Sequence, residues 1–232
     1  MIDKETAAKQ LRWVAFHIPD SVCDNTSEGR MLRCIKTYSI DAAEVLETSC
    51  PHFEEGFKEE LAFIKTDWIR EQLKIAISHI PDYFYRIPAS STGKYHPSYT
   101  LGNQGLYRHV KAATKIAKDL VELEMFELNQ EEKDAVISAI ILHDCCKSGR
   151  EYSAYTKHTH PLLAAKLIEE VCSKEFADIV CPLVVSHMGQ WTTSKYESIV
   201  LPKPETKLQK LVHLCDYLAS RKYLEVNFNE EN

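Results

Sequence analysis

The sequence predicts an all-α protein, a helical bundle preceded by an N-terminal helical extension. Three observations carry this. Glycine is scarce, with seven in 232 residues. The long stretches between turn signals mix Leu, Ile, Ala, Glu and Lys, which lose little rotamer freedom in a helix. Apolar residues make up 44% of the chain, enough for a real core, and from Asp67 onward they recur at helical spacing.

Taken in order, residues 3–17 and 28–48 read as helices, with polar, turn-like text between them. SCPHFEEG (49–56) reads as a break. These belong to an extension over residues 1–66 that carries no interpretable motif. It suits a cap on the bundle, an interface or part of a pocket. Residues 67–232 form the second domain. WIREQLKIAISHI repeats at helical spacing, with Asp67 as its N-cap. PDYFYRIPASSTGKYHPSYTLGNQG (81–105) holds prolines, glycines and five Tyr or Phe rings. It is a long loop of the kind that often carries function. Residues 106–123 place Val110, Ala113, Ile116, Ala117, Leu120 and Val121 on one stripe. Residues 130–146 include the nearly continuous apolar run AVISAIIL, which marks a buried helix. Pro161 suits the first turn of a helix over 161–172. Residues 174–188 form another, with Pro182 as a place for a kink. A last helix over 205–224 turns Leu208, Leu211, Val212, Cys215 and Leu218 inward.

The opening MIDKETAAKQLRW lacks the apolar run of a signal peptide. No stretch approaches the length needed to cross a bilayer. A soluble, cytoplasmic chain without a membrane partner is expected. In that compartment the eight cysteines are free thiols rather than disulfides, and no CxxC pair suggests a zinc ribbon. Cys34, Cys172, Cys181 and Cys215 read as small core residues. The net charge of −6 does not suit a protein that tracks a long duplex. The charge is uneven, however. Residues 90–118 hold Lys94, Arg108, Lys111, Lys115 and Lys118 and no acid. They form either a local anion-attracting zone or an ordinary solvated face.

The chemistry lies in polar residues placed where a core belongs. His143 and Asp144 directly follow AVISAIIL, and an unpaired buried carboxylate is costly. A metal ion is one compensation. The alternative is a helix end at solvent, with Asp144 paired to a nearby lysine. His109 opens one amphipathic helix, His160 stands at the start of another, and His187 ends the apolar run PLVVS. Asp216 sits inside the last helix beside Val212 and Cys215. His158 reads as a loop residue, and His213 lies one turn before Asp216. Four His and two Asp from successive helices can converge if the helices form one bundle. They are too many for one tetrahedral zinc, and they suit two divalent ions sharing a carboxylate. The thiols of Cys145 and Cys146 have no partner cysteines at useful spacing, so they read as packing residues or as supports just behind the ligands.

The order His, HD dipeptide, two further His and a final Asp resembles the HD-domain metal-dependent phosphohydrolase superfamily. The pieces are GLYRHVKAA, ILHDCCKSG, HTHPLLAAKLI, VVSHMGQW and LVHLCDYLAS, spread from about Asp67 to Lys222. Within it, KYHPSYTLGNQGLYRH resembles the loop and GGL..H motif of the HD domain in YhaM-type 3′-5′ exoribonucleases. NQGL stands here for GGL, and Met188 stands where that group often has a second His. The resemblance implies that His109, His143, Asp144 and Asp216 hold a first metal. It implies that Asp144 bridges to a second, held by His160 and His187. Histidine-rich ligation favours Mn, Fe, Co, Ni or Zn over Mg.

The expected activity is hydrolysis of a phosphoester or phosphoanhydride of a small, nucleotide-like substrate by metal-activated water. Asp144 and Lys147 would be catalytic, with Lys147 adding positive charge to the transition state; the alternative for Lys147 is a surface lysine. Lys94 and His96 are candidates for phosphate contact, and Tyr95, Tyr99 and Tyr107 for stacking a base. Gln190 and Trp191 are candidates for reading a base or sugar. The rings have packing as their alternative. STGKY is not a P-loop, because the leading Gly and the final Ser or Thr are missing. Two other functions stay open. One is a nuclease or cyclic-nucleotide phosphodiesterase acting on short nucleic acid or a cyclic nucleotide. The other is a metal-stabilised regulatory module without turnover.

Overall fold

The structure, a computed structural model, describes residues 56–90 and 93–224 and scattered positions between 10 and 39. The chain forms two compact units, Met1–His52 and Phe53–Asn232. In the first, residues 10–11 and 13–16 are helical. The helices expected over 3–17 and 28–48 and the break at 49–56 otherwise lie largely outside the described residues.

The second unit is all-α, with no strand among the described residues. Its helices are α1 (Lys58–Leu61), α2 (Asp67–Ser78), α3 (Gly105–Leu120), α4 (Gln130–Leu142), α5 (His160–Val171), α6 (Lys174–Val185) and α7 (Lys207–Ala219). No helix among the described residues is long and apolar enough to cross a membrane. The short α1, which the sequence pattern does not reveal, packs on α2 and α3 within this unit.

Helix α4 is the axle. It touches α2, α3, α6 and α7, and every residue from Asp134 to Leu142 is buried. Its start is fixed by a capping box between Asn129 and Glu132, which satisfies two otherwise unpaired N–H groups. Its end comes at Leu142, four residues short of the expected 146. Beyond it the chain folds into tight turns, with Cys145 N donating to Leu142 O and Lys147 N to Asp144 O at 3.1 and 3.0 Å. This early end throws His143 and Asp144 off the buried helix and into the interior.

Asp134 on α4 is a buried acid with a structural use. Its carboxylate accepts from the backbone N–H of Thr66 at 2.7 Å and of Lys65 at 3.1 Å, and from Gln130 Nε2 at 2.9 Å. It thereby caps α2 from a neighbouring helix. Thr66 is the N-cap of α2, and Asp67 is its first residue and pairs with Arg70. Helix α5 starts at His160 with Pro161 next. Helix α6 continues through Pro182, and α7 stops at Ala219, before a short 3-10 turn at Lys222–Leu224.

The long 81–105 loop is ordered by its own rings. Tyr83, Phe84 and Tyr85 are buried in a 3-10 turn. The Tyr83 hydroxyl donates to Gly149 O at 2.6 Å and accepts from Ser148 N at 3.1 Å. The loop is thus tied to the turns that follow Asp144. It enters α3 at Gly105, where a Cβ would lie 2.1 Å from Thr100 O, so only glycine fits this approach.

Candidate metal centre

Six side chains from three helices and the turns that end two others meet at the centre of the second unit. His109 comes from the first turns of α3, His143 and Asp144 from the end of α4, and His160 from the start of α5. His187 comes from just past α6, and Asp216 from α7. Three overlapping groups have donor atoms within 4.8 Å of one another: His109, His143 and Asp144; His143, His187 and Asp216; and Asp144, His160 and His187. Together they contain all six residues that the sequence pattern singles out.

The two oxygens of Asp144 face different partners. Oδ1 lies 3.0 Å from His160 Nε2 and 3.8 Å from His187 Nε2. Oδ2 lies 3.5 Å from His143 Nε2 and 4.0 Å from His109 Nε2. Asp216 Oδ1 completes the second group, 3.0 Å from His109 Nε2 and 3.5 Å from His143 Nε2. The carboxylate of Asp144 therefore stands between two sets of donors.

The imidazoles are aimed by the backbone. Nδ1 of His143, His160 and His187 lies 2.6, 2.7 and 2.8 Å from the carbonyl three residues earlier, on Ile140, Lys157 and Val184. A carbonyl accepts only, so each Nδ1 carries the proton. In the neutral rings each Nε2 then presents a lone pair to the centre, the orientation that metal-bound histidines adopt. His160 Nε2 and His187 Nε2 approach to 3.2 Å. Two facing lone pairs at that distance repel unless a cation or a proton lies between them. His143 Nε2 and Asp144 Oδ1 are buried with no aligned hydrogen-bond partner, and buried polar atoms rarely stay so. The donor set and these unsatisfied atoms fit divalent transition ions.

The electrostatics agree with ion binding. Burial alone would push the Asp144 carboxyl up. The Lys147 ammonium and the His143 and His160 imidazoles outweigh burial and hold it well below the usual range. Asp216 is likewise held low against burial, by His109 and His143. Burial, with His143 and His160 nearby, pushes His187 down to about 3. Both acids are thus anionic and His187 neutral at ordinary pH, the forms that bind metal. Lys147 pairs directly with Asp144. Asp216 is 21% exposed and Lys147 14%, against 2% or less for the other five, so the centre opens to solvent on that side.

The remaining candidates divide. His96 reaches the centre, with its ring 5.6 Å from that of His109; burial, then His109 and Lys147, push it down to about 4. Lys94 and Tyr95 lie on the exposed part of the loop, with the Lys94 ammonium 5.0 Å from the Tyr95 ring centre. Tyr99 is also exposed. Tyr107 is not brought to the centre. It stands two positions from His109, on the other side of α3. Its hydroxyl donates to Gly56 O, and its ring packs on Phe57 and Tyr85. Gln190 is exposed. Trp191 stacks on Tyr217 with an interplanar angle of 13°. His213 Nδ1–H donates to the backbone oxygen of His187 at 2.8 Å, so it supports a site residue from behind. His158 is half-buried and bonds Thr192 O at 3.1 Å through Nε2.

Two rim residues escape the pattern reading. The Arg221 guanidinium lies over the rings of Tyr217 and Tyr95, 4.4 and 5.3 Å from their centres. Lys222 N donates to Tyr95 O at 2.8 Å. These contacts pin the aromatic loop to the end of α7 and hold His96 beside His109. Their sequence signal is faint: an aromatic immediately after Asp216 and a cation one turn further on.

The HD domain family model matches residues 106–221, half of the chain, and this chain belongs to the HD-domain family. No curated protein and no solved structure matches it.

Proposed function

We propose that the second unit is a metal-dependent phosphohydrolase with a dinuclear centre, acting on a nucleotide-like phosphoester or phosphoanhydride. The observation that carries this reading is Asp144, whose two oxygens face separate donor sets. In it, His109, His143, Asp144 and Asp216 hold one ion, and Asp144, His160 and His187 hold the other. The ions are Mn, Fe, Co, Ni or Zn by the chemistry of a His-rich set. Bound there, they supply a lowered water pKa, from about 15.7 toward 7, and positive charge for phosphoryl oxygens.

The chain's own residues do the rest. Asp144 and Asp216 stay ionised, and the backbone carbonyls keep the imidazoles correctly turned. Lys147 sits on the open side beside Asp144 and presents its ammonium where phosphoryl charge grows. His96, neutral at ordinary pH, offers a hydrogen bond at the same mouth, and its buried Nδ1 has no aligned partner. Lys94, Gln190 and Trp191 remain the candidates for contacts with the rest of the substrate, all three exposed. Tyr107 drops out of the substrate-binding set on this reading.

The finer resemblance, to YhaM-type exoribonucleases, rests on the loop that carries His96. The basic residues behind that loop do not favour a nucleic acid. Lys111 pairs with buried Glu60 at 2.9 Å, Lys115 with Glu59 at 3.2 Å and Lys118 with Asp119 at 3.1 Å. Arg108 donates to the carbonyls of Tyr99, Leu101 and Asn103. A small substrate is the better reading.

Replacing Asp144 with Ala should abolish nearly all hydrolysis of bis-p-nitrophenyl phosphate by the metal-reconstituted protein. Retained activity would sink the mechanism. A metal-supplemented screen of mononucleotides, deoxynucleoside triphosphates, cyclic dinucleotides and short RNA then separates the readings. Release of phosphate or nucleoside supports the small-substrate hydrolase. Stepwise shortening of RNA supports the nuclease, and metal binding without turnover supports a regulatory module.

A further inference from the structure

Beside the metal centre lies a second feature that none of the six central residues lines. It is a cavity of about 1070 Å³ between the 81–105 loop, the turns after Asp144 and the segment after Trp191. Its wall adjoins the centre at three points. Ser148 follows Lys147, and Thr159 precedes His160. Ile87 accepts from Leu106 N at 2.9 Å, at the start of the helix that carries His109. Lys157, another wall residue, accepts the His160 Nδ1–H and donates its own N–H to Lys147 O at 2.9 Å.

The wall's composition is unusual for a solvent-filled crevice. Three tyrosines border it, and they keep 82% (Tyr155), 82% (Tyr196) and 63% (Tyr152) of their surface exposed. One side is firm: the Tyr152 ring packs 5.6 Å from Tyr83, whose hydroxyl is doubly bonded to the Ser148–Gly149 backbone. The opposite side is held by Glu197, which accepts from His158 N at 3.0 Å. Exposed rings around a cavity are stacking platforms for a planar group, and amide, hydroxyl and carboxylate groups between them suit the edges of a heterocycle. Lys157 adds a cation to the lining.

We propose that this cavity is a nucleoside subsite, in which Tyr155 and Tyr196 stack the base of a nucleoside monophosphate whose phosphate reaches the metal centre. The inference rests on the phosphohydrolase reading for the phosphate end, but the base-binding claim can fail or hold by itself.

The test uses the metal-reconstituted full chain and its Tyr155→Ala and Tyr196→Ala variants. Both rings are mostly exposed, so the fold should tolerate the change. Adenosine and guanosine monophosphates are the probes, with ribose 5-phosphate as the base-free control. For the nucleotides, each alanine variant should raise KM about 10-fold, the scale of one lost base–aromatic stack. Their kcat, metal content and the kinetics on ribose 5-phosphate should hold within about twofold, and Tyr155→Phe should restore the nucleotide KM. Unchanged nucleotide KM in both variants, or an equal loss on ribose 5-phosphate, would overturn the subsite. If none of these phosphates is hydrolysed, calorimetric titration with adenosine and guanosine decides it. Binding by the native chain that weakens in the alanine variants supports the subsite. Absence of binding, or binding unaffected by either variant, overturns it.

Discussion

At the residue scale, Asp144 and its neighbours divide the work in ILHDCC sharply. Cys145 donates to Cys146 Sγ at 3.9 Å, and both thiols are buried. That contact raises the Cys145 thiol and lowers that of Cys146. Neither belongs to the donor groups at the centre. Replacing both with Ser should leave metal content and most activity intact, measured by elemental analysis and turnover; loss of the metals would bring the thiols into the site. His187 gives a pH prediction for the metal-free protein. Its folded pKa is about 3 against an ordinary 6.5, so between those values the unfolded chain holds one more proton. Stability therefore falls as pH drops through that window, by at most about 1.4 kcal/mol per pH unit from this group. His143 is raised despite its burial, chiefly by Asp144 and Asp216, so its contribution is complete below 6.5 and fades only above. Asp144 and Asp216, held low, lose theirs only below 3.8. The urea midpoint should drop from pH 6.5 to 4.5, and the drop should shrink in His187→Gln. A midpoint that does not move would contradict a neutral, buried His187.

At the element scale, what aims the histidines is the way helices end. Helix α4 stops at Leu142 and α6 at Val185, and each next turn swings an imidazole inward with its Nδ1 on the carbonyl three residues back. These boundaries were only partly legible. The apolar run AVISAIIL announces a buried helix but not where it stops, because Cys145 and Cys146 continue the apolar text. Local pattern points to Asp67 as the cap of α2, one residue late, because the carboxylate that serves its N-terminus comes from Asp134, 67 residues further along. Gly189 illustrates support from behind. Its φ is +64°, and a Cβ there would lie 2.1 Å from the His213 ring. That ring holds the His187 carbonyl. Gly189→Ala should therefore cost roughly 1–3 kcal/mol of stability and weaken metal retention, read by thermal denaturation and a competing chelator. Adding His213→Ala should relieve the clash and recover part of the stability. Full retention of stability and metal in the single variant would contradict this packing.

At the scale of the whole molecule, the sequence was most legible where a polar residue interrupts an apolar helix. His143, Asp144, His187 and Asp216 stand out for that reason; His109 and His160, at the starts of their helices, stand out only once the whole ordered set is considered. The rim was harder to read. Tyr107 looked like a stacking ring but faces Phe57 and Tyr85, because two residues along a helix reverse the direction of a side chain. The basic stretch 90–118 reads equally as an anion-attracting zone or a solvated face, because the acids that pair with Lys111 and Lys115, Glu60 and Glu59, come from distant positions. Arg221 gave no warning, since its role depends on a loop more than a hundred residues earlier. The account stands on two donor sets sharing Asp144, and the direct measure of that is metal stoichiometry. Elemental analysis of the full chain, stripped with chelator, reconstituted with Mn, Fe, Co, Ni or Zn and desalted, should give close to two ions per chain for at least one metal. A plateau at or below one ion per chain for every metal would contradict the dinuclear centre.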